Sequence, residues 1–207
     1  MPTTLLLVRH GETSWNALGK IQGCTNIDLE DAGKYQAKLL SNKLKGTFTA
    51  IYSSPLNRAF ETAQILAAPN NLTVHKKEAL REINFGLWEG LTFKEVAKTY
   101  PEAYAKWQTD DAPLCGGDGS LENCALRVRD CLLDLVREHP NETIVTVSHG
   151  GLLKTALIGL FNLRMSMYHQ LALGNTCVTT IRFTDDLKPI LIGFNDTSHL
   201  NKEARCV

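Results

Sequence analysis

The sequence predicts an α/β protein built on an open sheet, and three observations carry that reading. Strand-like and helix-like segments alternate along the chain. Three strand-like runs end on a polar cluster: Arg9-His10, Ser53-Ser54 and Ser148-His149. Leu121, Cys124, Val128, Cys131 and Leu135 recur at steps of three and four, the period of a helix with one buried face.

Thr3–Val8 reads as the first strand, an apolar run broken off by Arg9-His10-Gly11. Leu29–Leu44 reads as a helix with Ala37, Leu40 and Leu44 on one face. Ala50–Ser53 reads as a second strand. Pro55 then opens a helix to about Leu66, because proline suits a first helical turn. Residues 84–118 are less regular. They hold Phe85, Trp88, Phe93, Tyr100, Tyr104 and Trp107, with a loop signal at Gly116-Gly117-Asp118-Gly119, and read as a helical insertion that caps a site. The helix through Leu121–Leu135 makes Cys124 and Cys131 core residues rather than ligands. Thr143–Ser148 is another strand, followed by His149-Gly150-Gly151 and a helix to Leu160. Thr176–Phe183 and Pro189–Phe194 read as a hairpin around Asp185-Asp186, two strands that could also pair across a homodimer.

At 207 residues, one compact domain, with or without a modest cap, is expected. With 22 basic and 22 acidic residues the net charge is zero, which argues against nucleic acid as a partner and makes any anion site local. The first residues lack a basic segment followed by a long apolar one, and no apolar run approaches a membrane span, so a cytoplasmic location is expected. Six cysteines at 24, 115, 124, 131, 177 and 206 form no C-x-x-C pair and read as reduced thiols.

In open α/β sheets, ligands bind outside the carboxyl ends of strands. The three polar strand ends would therefore bring Arg9, His10, Arg58 and His149 to one crevice. Two arginines and two histidines suit a tetrahedral dianion such as a phosphoryl group, because arginine bonds phosphate oxygens in bidentate fashion. Gly11, Gly150 and Gly151 would leave room for backbone to approach the anion.

Four segments then match one family in order. Leu7-Val8-Arg9-His10-Gly11-Glu12-Thr13 with Asn16 resembles the N-terminal signature of the histidine phosphatase (phosphoglycerate mutase-like) superfamily. Tyr52-Ser53-Ser54-Pro55-Leu56-Asn57-Arg58-Ala59 with Glu61-Thr62-Ala63 resembles its second arginine motif. Leu80-Arg81-Glu82-Ile83-Asn84-Phe85-Gly86-Leu87-Trp88-Glu89-Gly90 resembles the motif holding its acid, and Val147-Ser148-His149-Gly150-Gly151 its second histidine motif. The resemblance spans residues 4 to about 199. It implies one domain over 1–207, a three-layer α/β/α fold with a mostly parallel central sheet, and a small helical cap at about 84–118.

The resemblance also implies roles. His10 is the nucleophile that becomes a phosphohistidine. Arg9, Arg58 and His149 bind the equatorial oxygens of the phosphoryl group. Glu82 protonates the leaving oxygen and then deprotonates the attacking water. Asn16, Gln22, Gly23 and Gly150 complete the phosphate pocket. No metal and no cofactor are called for, because the arginines supply the positive charge. A nucleophilic histidine must be neutral, and cationic neighbours favour that form. A bond from one ring nitrogen to a backbone carbonyl would aim the other at phosphorus. Glu82 must be protonated when it acts as acid.

Blander readings stand beside these. His10 alone could be a strand-end histidine satisfied by backbone, Arg58 a surface residue, Glu82 an exposed glutamate and Gln22 a loop residue. His199 reads as C-terminal structure or pocket rim, and His75, His139 and His169 as ordinary. His10-Gly11-Glu12 also fits the H-x-E of zinc deaminases, but the later P-C-x-x-C is absent. A metal site from His10, Glu12 and His149 lacks ligand spacing.

Within the family, residues 83–118 carry Lys94, Lys98 and Lys106 but no arginine, and Gly151 stands where mutases tend to have asparagine. Both departures favour a phosphatase that lets water in, and a small phosphorylated metabolite is the expected substrate. The resemblance is to broad-specificity phosphatases and α-ribazole phosphatases, although their Gly-Gly-Glu-Ser is here Gly116-Gly117-Asp118-Gly119-Ser120. An α-ribazole-5′-phosphate phosphatase, a cofactor-dependent phosphoglycerate mutase and a non-catalytic phosphate-binding module are the alternatives.

Overall fold

The computed structural model describes residues 2–109, 120–201 and Ala204. In chain order the regular elements are β1 (Thr3–Arg9), α1 (Ser14–Ala17), α2 (Asp31–Leu44), β2 (Ala50–Ser53), α3 (Asn57–Ala67), β3 (Val74–Lys76), α4 (Phe93–Thr99), α5 (Pro101–Trp107), α6 (Leu121–Glu138), β4 (Thr143–Ser148), α7 (Gly150–Phe161), β5 (Val178–Phe183) and β6 (Pro189–Asp196). Short 3₁₀ turns at Glu78–Leu80, Gly86–Trp88 and Met165–His169 connect them near the site.

The six strands form one sheet in the order β3-β2-β4-β1-β5-β6. β3, β2, β4 and β1 run parallel; β5 and β6 are antiparallel additions on the far side of β1. The period-2 alternation of strand side chains divides the apolar residues between two faces. Leu5, Leu7 and Ile144 face a cluster with Leu132, Leu135 and Leu152 of α6 and α7. Leu6, Val8, Ile51, Val145 and Val147 face a second cluster with Ala37, Leu40, Ala63 and Leu66 of α2 and α3. The result is three layers, α/β/α, with the mostly parallel sheet that the sequence implied. Leu40 is wholly buried between α2 and the sheet. Leu40→Ala is expected to cost about 2–5 kcal/mol, read as a lower urea midpoint with an unchanged m-value.

Several expectations shift in detail. β3 is a three-residue strand pairing in parallel with β2, too short to carry an alternating pattern in sequence. α3 starts at Asn57, two residues after Pro55, and Arg58 is its second residue. Cys124 is fully buried in the core, whereas Cys131 is half-buried against it. The described part of the insertion forms α4 and α5. α4 is started by a capping box between Thr92 and Glu95, and α5 by Pro101. Phe93 stacks on Trp107 at 4.9 Å and Trp107 meets Trp88 edge-on at 5.8 Å, so most of the aromatic set packs together. The Gly116-Gly117-Asp118-Gly119 loop lies outside the described residues. β6 is an edge strand, and Ile190, Leu191, Ile192 and Phe194 on it are exposed. Among the described residues no helix is long and apolar enough to cross a membrane.

Candidate active site

The parallel register brings three strand ends to one edge. Arg9 lies opposite Ser148, and Ser53 opposite Val147. The ladder runs one bond further on each side, from His10 N–H to the Ser148 carbonyl (3.0 Å) and from Ser54 N–H to the Val147 carbonyl (2.9 Å). This fixes His10, Ser54 and His149 side by side, and the first turn of α3 adds Arg58.

His10 is 2% exposed. Its Nδ1 lies 2.6 Å from the Gly11 carbonyl oxygen. A carbonyl only accepts, so Nδ1 carries the proton and Nε2 keeps its lone pair. Burial, then the Arg58 and Arg9 cations, hold the imidazole well below its usual pKa, against a small opposing effect of the Gly11 bond. Desolvation, and not the neighbouring arginines expected from the sequence, is the larger cause.

His149 is fully buried, and its ring centroid lies 5.2 Å from that of His10. Its Nε2 is 2.7 Å from Ser54 Oγ, while its Nδ1 has no hydrogen-bond partner among the described residues. Burial, Arg58, His10 and Arg9 in turn hold it well below the usual histidine range. Both histidines are therefore neutral in the folded chain at pH values where unfolded histidines are protonated. Between the folded values and about 6.5 the unfolded state binds more protons, so stability falls as pH falls through that window. With two such groups the expected slope is about 2.7 kcal/mol per pH unit, measurable by urea denaturation at stepped pH.

Arg58 is also fully buried. Its Nη2 donates to the Gly23 carbonyl (2.7 Å) and its Nη1 to the Thr25 carbonyl (2.8 Å); its Nε has no hydrogen-bond partner among the described residues. Burial lowers its pKa to about 10, opposed by Glu82, Cys24 and Glu89, which leaves it cationic at neutral pH. Arg9 donates from Nη1 to the Leu173 carbonyl at 2.5 Å. The loop that receives Arg58 is held by a residue the sequence reading gave no role. The Glu89 carboxylate accepts from Cys24 N–H (2.8 Å), Thr25 N–H (2.9 Å) and Phe85 N–H (3.2 Å).

Gly23 has φ +52°, and a Cβ there would fall 1.9 Å from Glu89 Oε1. It serves the site by letting Glu89 in and giving its carbonyl to Arg58. Gly11 also departs from the sequence argument. A Cβ on it would sit 2.4 Å from the Gly33 carbonyl oxygen, so its small size serves close packing against α2.

Glu82 stands at the N-terminus of α7. Oε1 accepts from Leu152 N–H (2.7 Å) and Ile83 N–H (3.0 Å), and Oε2 from Gly151 N–H (3.0 Å). Two of these donors belong to the helix start, where N–H groups have no intrahelical partners. A Cβ on Gly151 would approach Glu82 Oε1 to 2.8 Å and Tyr168 Oη to 3.0 Å. Gly151→Ala is expected to displace the carboxylate and cut kcat on an alkyl phosphate by about 10- to 100-fold, with a smaller loss on an aryl phosphate whose leaving group needs no proton.

Asn16 spends its Oδ1 on Thr13 N–H (3.1 Å) and Thr13 Oγ1 (3.0 Å) in a capping box and takes Asn175 Nδ2 at 3.3 Å, so its NH₂ is the end it has to offer. Gln22 is buried, and its Oε1 has no partner among the described residues. Arg9, His10, Asn16, Gln22, Gly23, Arg58, Glu82 and Gly150 all line one cavity of about 460 Å³; His149, its ring 5.2 Å from that of His10, is not among the lining residues. A larger recess of about 630 Å³ lies across Arg9 and Asn16, but none of His10, Arg58 or Glu82 lines it.

The cavity wall also contains residues that sequence reasoning missed: Lys20, Lys154, Tyr168 and His169. Lys154 follows Gly150 by four residues, so the helical period puts it on the same face, a signal available in sequence. His169, ordinary by sequence, lines the cavity. Its Nε2 is 3.1 Å from the Trp107 carbonyl, which ties the insertion to the 165–169 turn. His199 Nε2 lies 3.0 Å from Thr176 Oγ1, and Thr176 N–H bonds the His10 carbonyl. Among the described residues no group of three or more His, Cys, Asp or Glu is placed to hold a metal ion.

A buried neutral histidine, flanked by cations at the carboxyl edge of a mostly parallel sheet, defines an α/β protein with a built anion site. The chain belongs to the histidine phosphatase superfamily (branch 1), whose family model matches residues 5–197. It is 34% identical over 201 residues to phosphoserine phosphatase 1 of Hydrogenobacter thermophilus, covering 96% of this chain and 94% of that one. Among solved structures, a histidine-to-alanine variant of Entamoeba histolytica phosphoserine phosphatase in complex with phosphoserine is 43% identical, with a TM-score of 0.90 over 96% of this chain and 100% of that one. The phosphoserine phosphatase of the same organism in complex with 3-phosphoglyceric acid is 44% identical, with a TM-score of 0.89 and the same coverage. The sequence reading had not singled out phosphoserine phosphatases.

Proposed function

We propose that the chain is a metal-independent phosphatase of small phosphorylated metabolites, with O-phosphoserine the first substrate to test, acting in the cytoplasm as a single domain. The observation that carries this reading is His10 itself: buried, held neutral, its Nδ1 engaged by Gly11 and its Nε2 available beside Arg9 and Arg58. The names of the similar phosphoserine phosphatases support the choice of substrate.

In the proposed reaction, Nε2 of His10 attacks phosphorus and the ester P–O bond breaks. Glu82 gives its proton to the departing oxygen, leaving a phosphohistidine and a free alcohol. Water then attacks phosphorus, Glu82 takes its proton, the P–N bond breaks, and phosphate leaves. Throughout, Arg9, Arg58 and His149 stabilise the charge on the non-bridging oxygens. The buried Arg58 Nε and His149 Nδ1 have no protein partner among the described residues and would be satisfied by such a ligand. Asn16, Gln22 and the backbone at Gly23 and Gly150 shape the rest of the phosphate pocket, and α4 and α5 act as its cap.

The test is phosphate release from O-phosphoserine, 3-phosphoglycerate and p-nitrophenyl phosphate in the presence of EDTA. Turnover that EDTA does not diminish supports the reading. Loss of turnover on chelation, or none on any phosphomonoester, overturns it.

A further inference from the structure

The cavity is larger and more cationic than a phosphoryl group requires. At about 460 Å³ it is the size of a small-ligand site, and its wall carries Arg9, Arg58, Lys20 and Lys154 against Glu82 as the one acid among the described residues. Arg9, Arg58 and His10 account for the phosphoryl group. Lys20 and Lys154 are left over; Lys20 Nζ lies 5.8 Å from the centroid of the Trp15 ring, whereas Lys154 stands on α7, the helix whose N-terminus holds Glu82.

Lys154 sits on the cavity face of α7, one turn beyond Gly150 and Gly151, which abut Arg9 and Glu82 respectively. Its Nζ lies over the Tyr168 ring, 5.0 Å from the centroid. The ammonium forms no ion pair with a carboxylate among the described residues. Burial, reinforced by Arg9, lowers its pKa, so the protein holds this ammonium at a cost that an anionic ligand would offset. Glu82 marks the side of the phosphoryl group from which the alcohol departs, and Lys154 stands one turn further along the same helix. Arg9 and Glu82 both act on the Lys154 charge, so a cation there is within reach of a group carried on the departing alcohol.

We infer that Lys154 binds a carboxylate on the alcohol portion of the substrate, so that the site selects phosphorylated carboxylic acids over other phosphomonoesters. This rests on reading the His10 site as a phosphomonoesterase. Among the described residues no lining acid besides Glu82 is present to recognise an ammonium, so the carboxylate of phosphoserine, and not its amine, is the selected group. Phosphoserine and 3-phosphoglyceric acid, the molecules bound in the two similar structures, share that carboxylate.

Calorimetric binding to a His10→Ala chain separates this inference from turnover. O-phosphoserine is expected to bind at least about 10-fold more tightly than phosphoethanolamine, which differs only by lacking the carboxylate. In the same background, Lys154→Gln is expected to shrink that ratio to about 2 or less, and Lys154→Arg to keep it above about 5. Lys154→Met serves in place of Lys154→Gln should the latter fail to fold. A ratio unchanged by removal of the lysine, or no preference in the parent, overturns the inference. Failure of the wild-type chain to hydrolyse any phosphomonoester sinks the hydrolase reading instead and leaves the binding ratio readable.

Discussion

Replacing His10 with alanine is expected to lower kcat on any phosphomonoester by about 10⁴-fold or more, with folding intact. The size follows from the lack of a substitute. His149, the neighbouring imidazole, has Nε2 committed to Ser54, and in the proposed reaction its Nδ1 donates to a phosphate oxygen, so it has no lone pair left for attack. The arginines stay protonated and have no lone pair with which to attack. Alanine removes one buried ring whose polar bond is to the adjacent Gly11 carbonyl, so the structural cost is small beside the catalytic one. The kinetic pattern matters as much as the magnitude. KM should change little, because the phosphate ligands remain, and the loss should fall almost wholly on kcat. A parallel loss in KM would show that His10 mainly binds.

The second large effect is expected from Arg58→Lys. Lysine keeps the charge but loses the planar fork that reaches Gly23 and Thr25 at once while presenting Nε elsewhere. kcat/KM should fall by about 10³-fold, in the range seen when one positioned donor to a phosphoryl or oxyanion group is removed. Unfolding stability should also fall by about 1–3 kcal/mol, because one buried carbonyl is left without its donor. Steady-state kinetics and urea melts on the same preparation separate the two effects. An Arg58→Lys chain with wild-type kcat/KM would remove Arg58 from the phosphate site and leave it a loop clamp.

These two residues also show how far the sequence could be read. His10 and Arg58 are far apart in the chain, yet each follows a short apolar strand. A parallel sheet puts all such strand ends on one edge, so strand identity alone predicts their convergence. His149 follows from the same rule. Burial is not legible in that way. Nothing local says that His10, Arg58 and His149 lie beneath the surface, although burial is the first cause of all three perturbed pKa values. Partners set by loops are also out of reach. Glu89 holds the Gln22–Thr25 loop through backbone N–H groups distant in sequence, and Glu82 is aimed by three backbone N–H groups, two of them from α7. Such contacts depend on where a turn passes, which composition and period do not encode. The role of Gly11 is hidden for the same reason, since its neighbour Gly33 belongs to a helix packed against it only in three dimensions. Lys154 is different. Its spacing from Gly150 is in plain view, but a helix face becomes a cavity wall only once the insertion and the 165–169 turn close around it.

The central claim is that phosphorus passes through a covalent bond to His10. Rapid quenching of the enzyme with ³²P-labelled O-phosphoserine, followed by proteolysis and mass spectrometry under alkaline conditions, tests it most directly. The account predicts an acid-labile, alkali-stable phosphopeptide containing His10, formed within a single turnover and absent from the corresponding peptide of the His10→Ala chain. Turnover with no labelled protein at any quench time, or label on a residue other than His10, would contradict it.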